Sequence, residues 1–539
     1  MSGFGVLLAQ RLRRDRWQVP LWAVGTGLLA LLTYVGVHES YGTEQDRAAL
    51  VAAAIANPVI LLFRGLPSGA QEGAFMLFLI LPWIAMLAAF MSTFLAVRHT
   101  RGDEEAGRAE LVAATPAGRL APLLATIAHG VAANLALGLL VALAFLGTGL
   151  GAAGACVAGA AAAAVGIVFL GVGLVAGQLM PTSRGASSLA VWVLVVTFVL
   201  SGIGNAIGTP SDDLRSMRSS WLTWLSPFGW AENTRPYDAD AWAPLALGLG
   251  VAVVLGVGAV LLQHAHDFGE GFVPEASGRA TASASLSSST ALVWRLTGPA
   301  VVGWGVGGVL TGALSTSLAG VIQQVGGENP AVEQILSQLS GGSDPAQGTV
   351  VIFFTMAGIL AACAAVQIVT RARQEEARGT AEPILSSPVN RVRWLADYLV
   401  AAVGAVVIVM ACAVAGAALG IAGSGGEASL IGDAAVTGAG QAAAAAVFLV
   451  LTGLVLAVAA RATIALGWVL VLLGAILGLF GPLFGFPDWL VHSSPFSVAP
   501  HATTDGVDAA GLVWLLLAIA VGAAASLLLT RRRELAAGG

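Results

Sequence analysis

Two stretches of this chain, 271 residues apart, carry the same carboxylates at nearly the same spacing: EEAGRAELVAATPAGR at 104–119 and EEARGTAEPILSSPVNR at 375–391. In each, a Glu pair (Glu104-Glu105, Glu375-Glu376) is followed by a third Glu (Glu110, Glu382). Six residues later comes a proline (Pro116, Pro388), and three beyond that an arginine (Arg119, Arg391). Each stretch leaves one long apolar run and enters another. Charged groups repeated in this way make two matching contact points through which a duplicated membrane protein can be driven.

Local rules predict what holds these groups. Asp103 is placed to cap a short helix, with Glu104 and Glu105 in the first turn, where the helix dipole favours negative charge. Glu104 can pair with Arg108 one turn on. Thr115 then caps a new helix with Pro116 at its first position, and Ser387-Pro388 repeats the device. The expected product is a helix–turn–helix elbow beside the membrane, rigid enough for a soluble partner to push. A solvated charge run is the plainer reading of one copy alone, and the repetition argues against it.

The elements that position the elbows are membrane spans. Mean hydropathy is +0.85 with 10% charged residues, outside the range of soluble globular chains. Apolar runs long enough for a hydrocarbon core that needs about 20 helical residues fall at 20–37, 74–97, 120–147, 152–180, 187–208, 242–263, 298–319, 349–370, 395–422, 436–460, 463–485 and 510–530. The fold class is therefore an all-α polytopic membrane protein of twelve spans. All 25 basic residues are arginine. With both termini in the cytosol, only Arg47, Arg64, Arg215, Arg218 and Arg235 fall outside and 20 fall inside, as the positive-inside rule requires. The absence of lysine excludes a GxxxxGK[ST] phosphate loop. If ATP powers this chain, another subunit binds it.

Two halves are expected, 1–270 and 291–539, joined by a Ser/Ala/Gly-rich cytosolic linker at 271–290. Ser226-Pro227-Phe228 before span six matches Ser494-Pro495-Phe496 before span twelve. Arg184 and Trp192 match Arg461 and Trp468, and Arg11-Leu12 matches Arg295-Leu296. Both halves share one orientation, which places a pseudo-two-fold axis along the membrane normal. Residues 4–18 combine an apolar stripe (Phe4, Leu7, Leu8, Leu12) with a basic face, the pattern of a helix lying on the membrane surface. The outer segments 38–73 and 320–348 contain helical stretches suited to a lid or cap.

Other chemistry is sparse. His99, His129, His264 and His266 lack metal-ligand spacing with one another or with cysteines, and no HExxH occurs, so no metal is expected. Cys156, Cys363 and Cys412 lie in spans, where packing is the expected role. His129 and Asn134 in span three and Asp397 at the start of span nine are candidates for substrate or ion contact, because ionisable groups at membrane depth are costly. Span two carries Phe75, Trp83, Phe90 and Phe94 around Pro82; Phe198, Phe353, Phe354 and Phe480 lie in spans five, eight and eleven. Together these could line an apolar cavity for a greasy substrate. Packing and lipid contact are the commoner uses of such side chains.

Two six-span halves, a Glu-rich loop after each second span and a Ser-Pro-Phe segment before each sixth span resemble an ABC-2 type exporter permease. More narrowly, the fused twelve-span chain resembles the actinobacterial permeases of polyketide-antibiotic (tetronasin-type) ABC exporters. The resemblance covers essentially the whole chain. It implies a bacterial plasma-membrane permease that exports hydrophobic compounds by alternating access. It also implies two copies of a separate ATPase, which bind ATP and Mg while this chain holds no cofactor and catalyses nothing. Coupling helices would lie at 102–116 and 373–388, supported by 4–18 and 284–296. Glu104, Glu105, Arg108, Glu110, Glu375, Glu376 and Glu382 would carry the contact. The second loop has one more residue between its Glu pair and third Glu, which leaves room for non-equivalent coupling.

The competing reading is a proton-coupled secondary drug transporter, also built from twelve spans in two parallel halves. GDEEAGR resembles its Gly-Asp-Arg-type loop but lacks the Asp-Arg pair, and Asp397 is the one acid placed near the membrane. A membrane enzyme would need a catalytic cluster near the interface, and none is seen in the sequence. Nothing points to nucleic acid. The expected partners are the ATPase, membrane lipid and a hydrophobic small molecule.

Overall fold

The computed structural model describes residues 3–55, 58–115, 118–265, 271–273, 281, 283, 286–325, 345–424, 427–481, 486–504 and 506–533. Among them, twelve helices are long and apolar enough to cross a membrane. The chain divides into two compact units, Met1–Gly278 and Arg279–Gly539.

In the first unit, α1 (Gly3–Arg14) is the amphipathic helix expected at 4–18, and span one is α2 (Gln18–Ser40). The outer segment folds as α3 (Glu44–Ile55) and α4 (Pro58–Arg64) before span two, α5 (Glu72–Arg98). The elbow is α6 (Arg101–Glu105) and α7 (Arg108–Ala113). Spans three to five are α8 (Ala121–Leu146), α9 (Ala152–Leu179) and α10 (Ser183–Ala206). A short hairpin, β1 (Thr209–Pro210) with β2 (Met217–Arg218), and α11 (Pro227–Glu232) precede span six, α12 (Ala243–Ala265).

The second unit opens on α13 (Ser289–Val325), which is continuous from the expected support segment into span seven. The described part of 284–296 therefore forms no separate surface helix. Span eight is α14 (Pro345–Ala377), followed by the elbow helix α15 (Ala381–Leu385). Spans nine to eleven are α16 (Arg391–Ser424), α17 (Ser429–Val458) and α18 (Thr463–Ala475). Then come α19 (Asp488–Val491), a hairpin of β3 (His501–Thr503) and β4 (Gly506–Asp508), and span twelve, α20 (Leu512–Arg532). The helical stretch expected at 330–339 lies outside the described residues.

Both units use the same neighbour scheme: first span on third, second on fourth, fourth on sixth. Small residues permit these approaches. A Cβ on Gly312 of α13 would meet the Ala413 carbonyl oxygen at 1.8 Å, and one on Gly416 of α16 would meet that of Val309 at 2.0 Å. Gly308 and Gly312 pack on the backbone at Val409, Ala413 and Ala417, and Gly416 and Gly420 on that at Val309 and Ala313, a double small-xxx-small contact reinforced by Thr316 Oγ1 donating to the Ala417 carbonyl at 2.8 Å. Each Ser-Pro-Phe segment seats its phenylalanine on the fourth span of its unit. Phe228 lies 5.7 Å from Phe169, and Phe496 stacks on Phe448 at 4.9 Å.

Candidate functional site: the two elbows

Each elbow turns at a left-handed glycine, Gly107 (φ 68°) and Gly379 (φ 74°), a conformation that costs glycine little. The sequences there are Glu-Glu-Ala-Gly-Arg and Glu-Glu-Ala-Arg-Gly. The second copy puts its arginine before the glycine, so the incoming helix runs on through the Glu pair to Ala377. That is the structural meaning of the extra residue.

Several local expectations are corrected. Asp103 does not cap: it sits inside α6, whose N-cap is Thr100. Its carboxylate instead takes Arg14 at 2.7 Å, Arg108 at 2.8 Å and Arg11 at 3.6 Å. Arg108 is thereby drawn away from Glu104, which pairs with Arg101 at 2.7 Å. The Thr115 hydroxyl donates back to the Val112 carbonyl, and α8 starts only at Ala121, with Pro122 in its first turn. Pro116 lies outside the described residues. Pro388 stands in a turn, and it is Asn390 Oδ1 that receives the Arg393 amide, before the helix that starts at Arg391.

The glutamates divide by direction. Glu105 reaches the N-terminus of α10, accepting from the Ser183 amide at 2.6 Å and from its hydroxyl. Carboxylate at a helix N-terminus satisfies orphan N–H groups and the dipole. Glu376 is buried, paired with Arg533 just beyond span twelve and with Arg373. Glu375 is also buried, 3.6 Å from Arg371, whose guanidinium also donates to the Leu296 carbonyl of span seven. Glu110 and Glu382 point to solvent. Beside Glu110, Leu111 is 73% exposed. The pairs lock each elbow to its spans, and the third glutamates face outward.

One constellation was not legible in the sequence. Asp15, His99 and His129 meet in a fully buried cluster. Asp15 Oδ2 lies 2.8 Å from His99 Nε2 and 2.9 Å from His129 Nε2, while Oδ1 holds Arg98 at 2.5 Å. Burial raises the Asp15 carboxyl, but the hydrogen bonds from His129 and His99, with Arg98 nearby, outweigh it and hold it well below the usual carboxylate range. Two histidines and a carboxylate are a metal-binding set by type. Atoms bound to one ion at 2.0–2.1 Å in tetrahedral geometry stand about 3.3 Å apart, so these distances are hydrogen bonds. The cluster is a clamp that ties the end of α1 to spans two and three.

The aromatic and polar candidates also divide. His129 belongs to the clamp. Asn134 is buried and bonded to Ser92 of span two at 2.7 Å. Phe75, Phe198 and Phe354 are core side chains; Phe90 and Phe353 are half-buried; Trp83 and Phe94 are exposed. Trp83 meets Phe198 at 6.0 Å, and Phe90 stacks on Phe94 at 5.8 Å. The Phe480 side chain lies outside the described residues. Asp397 is buried beside Arg393 at 3.1 Å and accepts from Thr290 at 2.6 Å. Another buried acid, Glu232 at the end of α11, accepts from Asn205 at 2.7 Å and Ser201 at 3.1 Å. Burial pushes its carboxyl up to about 7, against those two hydrogen bonds.

A family model described as the C-terminal domain of the multidrug efflux system permease Rv1217c matches residues 4–262 and 286–531. The multidrug efflux system permease protein Rv1217c of Mycobacterium tuberculosis (strain ATCC 25618 / H37Rv) is 35% identical over 540 residues, covering 98% of this chain and 94% of that protein. These matches are to a multidrug efflux permease and not to the tetronasin-type permeases that the motifs resemble.

Proposed function

This chain belongs to the Rv1217c family of multidrug efflux system permeases, and from that premise we propose that it is the membrane permease of an ATP-driven exporter of hydrophobic drugs. Two copies of a separate ATPase would dock on the two elbows and supply ATP and Mg. The observation that carries this reading is the division of the glutamates. Glu110 and Glu382 face outward as contacts for a partner, while Glu105 and Glu376 anchor the same elbows to spans. A push on α7 would pass through Asp103 to α1, through the Asp15 clamp to spans two and three, and through Glu105 to span five. A push on α15 would pass through Glu376 to span twelve. Alternating access would follow from these movements, with the drug bound among apolar side chains of the spans.

The test is affinity purification of the tagged chain from its native host in gentle detergent, with co-eluting proteins quantified. An ATPase at about two copies per chain, lost on Glu110→Arg with Glu382→Arg, supports the exporter. A chain that elutes alone and moves drug on an imposed proton gradient overturns it in favour of secondary transport. Glu232 would then be the first acid to examine.

A further inference from the structure

Beside the first elbow lies a cavity of about 70 Å³, lined by α1, the end of span two, α6, α7 and the cytosolic ends of spans three, four and six. Its walls include Arg11, Arg14, Arg108, Gln178 and Gln263. The charges there do not balance. Three guanidiniums converge on the one carboxylate of Asp103, which leaves two positive charges in excess. Glu104 is engaged by Arg101, and Asp15 by Arg98.

Arg11 is the costly member. It is 6% exposed, and its Nε is buried without a hydrogen-bond partner. Its other contacts are the Pro122 and His99 carbonyls at 2.6 and 3.5 Å and the long Asp103 contact. A buried guanidinium so weakly compensated calls for an anion. Two acceptors complete the lining: Gln178 Oε1 and Gln263 Oε1 are both buried and unpartnered. Donors for an anion and acceptors for hydroxyls thus share one space. One water needs about 10–15 Å³ of such space, so the cavity has room for a phosphate-sized group. It sits where the arginine bias places the inner-leaflet headgroups, next to exposed Phe4 and Leu12 of α1.

We propose that this cavity is a binding site for a phosphate group bearing a hydroxylated substituent, as in the headgroup of an anionic glycerol phospholipid. Arginine forks suit phosphate oxygens, and basic pockets at the cytosolic ends of spans suit anionic headgroups. The site is independent of the ATPase reading. A lipid seated there would brace α1 against the elbow.

The experiment is thermal unfolding of the purified full chain in nanodiscs. Phosphatidylglycerol is compared with phosphatidylcholine of the same acyl chains, and with phosphatidylcholine plus millimolar inorganic phosphate. The expected result is a Tm several degrees higher with phosphatidylglycerol. Arg14→Gln with Arg108→Gln should remove most of that rise, while Arg13→Gln with Arg16→Gln, an equal charge loss at exposed residues at the end of α1 and just beyond it, should keep it. A rise produced equally by inorganic phosphate supports the phosphate site with a free oxyanion as its ligand. Equal Tm in all three conditions overturns the proposal, and so does a rise that the Arg14/Arg108 pair leaves intact. Should that double variant fail to fold, Arg108→Gln alone is scored by phosphatidylglycerol retention in native mass spectrometry. Retention equal to that of the unsubstituted chain counts against the site.

Discussion

Asp15 and Glu232 are both buried carboxyls, and they shift in opposite directions because the neighbours outweigh burial at Asp15 while burial outweighs the neighbours at Glu232. Asp15 is held ionised by His129, His99 and Arg98. Its stabilisation is present above the ordinary carboxylate range and is lost only as pH falls through the lowered value, so the carboxylate's own share is constant near neutrality. Asp15→Asn should cost about 3 kcal/mol, the low end for removing one member of a buried pair, because Arg98 keeps some contact with water. An unchanged Tm in detergent would remove the clamp from the account. Glu232 is pushed up to about 7, so the folded state binds the proton that the unfolded chain releases. Its contribution is therefore greatest at acid pH and declines as pH rises from the ordinary Glu value towards 7. Glu232→Gln should flatten that decline in a series of melts from pH 4.5 to 8. A variant that melts with the parent's pH dependence would show that the carboxyl titrates normally.

Among the elements, the tightest demand is on α13 and α16, whose backbones touch at Gly308, Gly312, Gly416 and Gly420. Adding one methyl at Gly312 forces the helices apart. Gly312→Ala should lose about 1–3 kcal/mol and yield less monodisperse protein on size exclusion. Gly256 of α12 has nothing within 4 Å of an added Cβ, so Gly256→Ala should be neutral or gain up to about 1 kcal/mol from helix propensity. Equal behaviour of the two variants would mean that the close approach carries no energetic weight. The same scale explains why the elbow expectations failed locally. Asp103, Thr115 and Ser387 have the right residue types for N-caps. The backbone does not start helices there, and Asp103 finds three arginines within reach instead of bare amides.

For the molecule as a whole, the duplication is real in span order and in the seating of Phe228 and Phe496, yet the elbows are anchored differently. Glu105 holds the start of the fifth span, while Glu376 holds the end of the twelfth. If each elbow receives an ATPase, Glu105→Gln and Glu376→Gln should lower the ratio of drug moved to ATP hydrolysed by different amounts. The Glu376 variant should be the more impaired, because its pair is buried and Arg373 is left with it. Vesicles carrying permease and ATPase, assayed for both quantities, decide this. Equal losses would mean that the two anchors are interchangeable.

Twelve spans, their order, the duplicated glutamate loops and an amphipathic helix ahead of span one were determined by the sequence alone. Crossing a membrane requires only length and apolarity along one dimension, and those are readable residue by residue. Which way each glutamate faces, and that Asp15 meets residues 84 and 114 positions away, was decided only by tertiary structure. Spans made of alanine, glycine and valine present nearly interchangeable faces. The pairing of helices, and hence of their few polar groups, emerges from where small residues let backbones touch. Two carboxylates of one type, Glu376 and Glu382, therefore lie six residues apart with opposite environments: one pinned under an arginine, the other open to solvent.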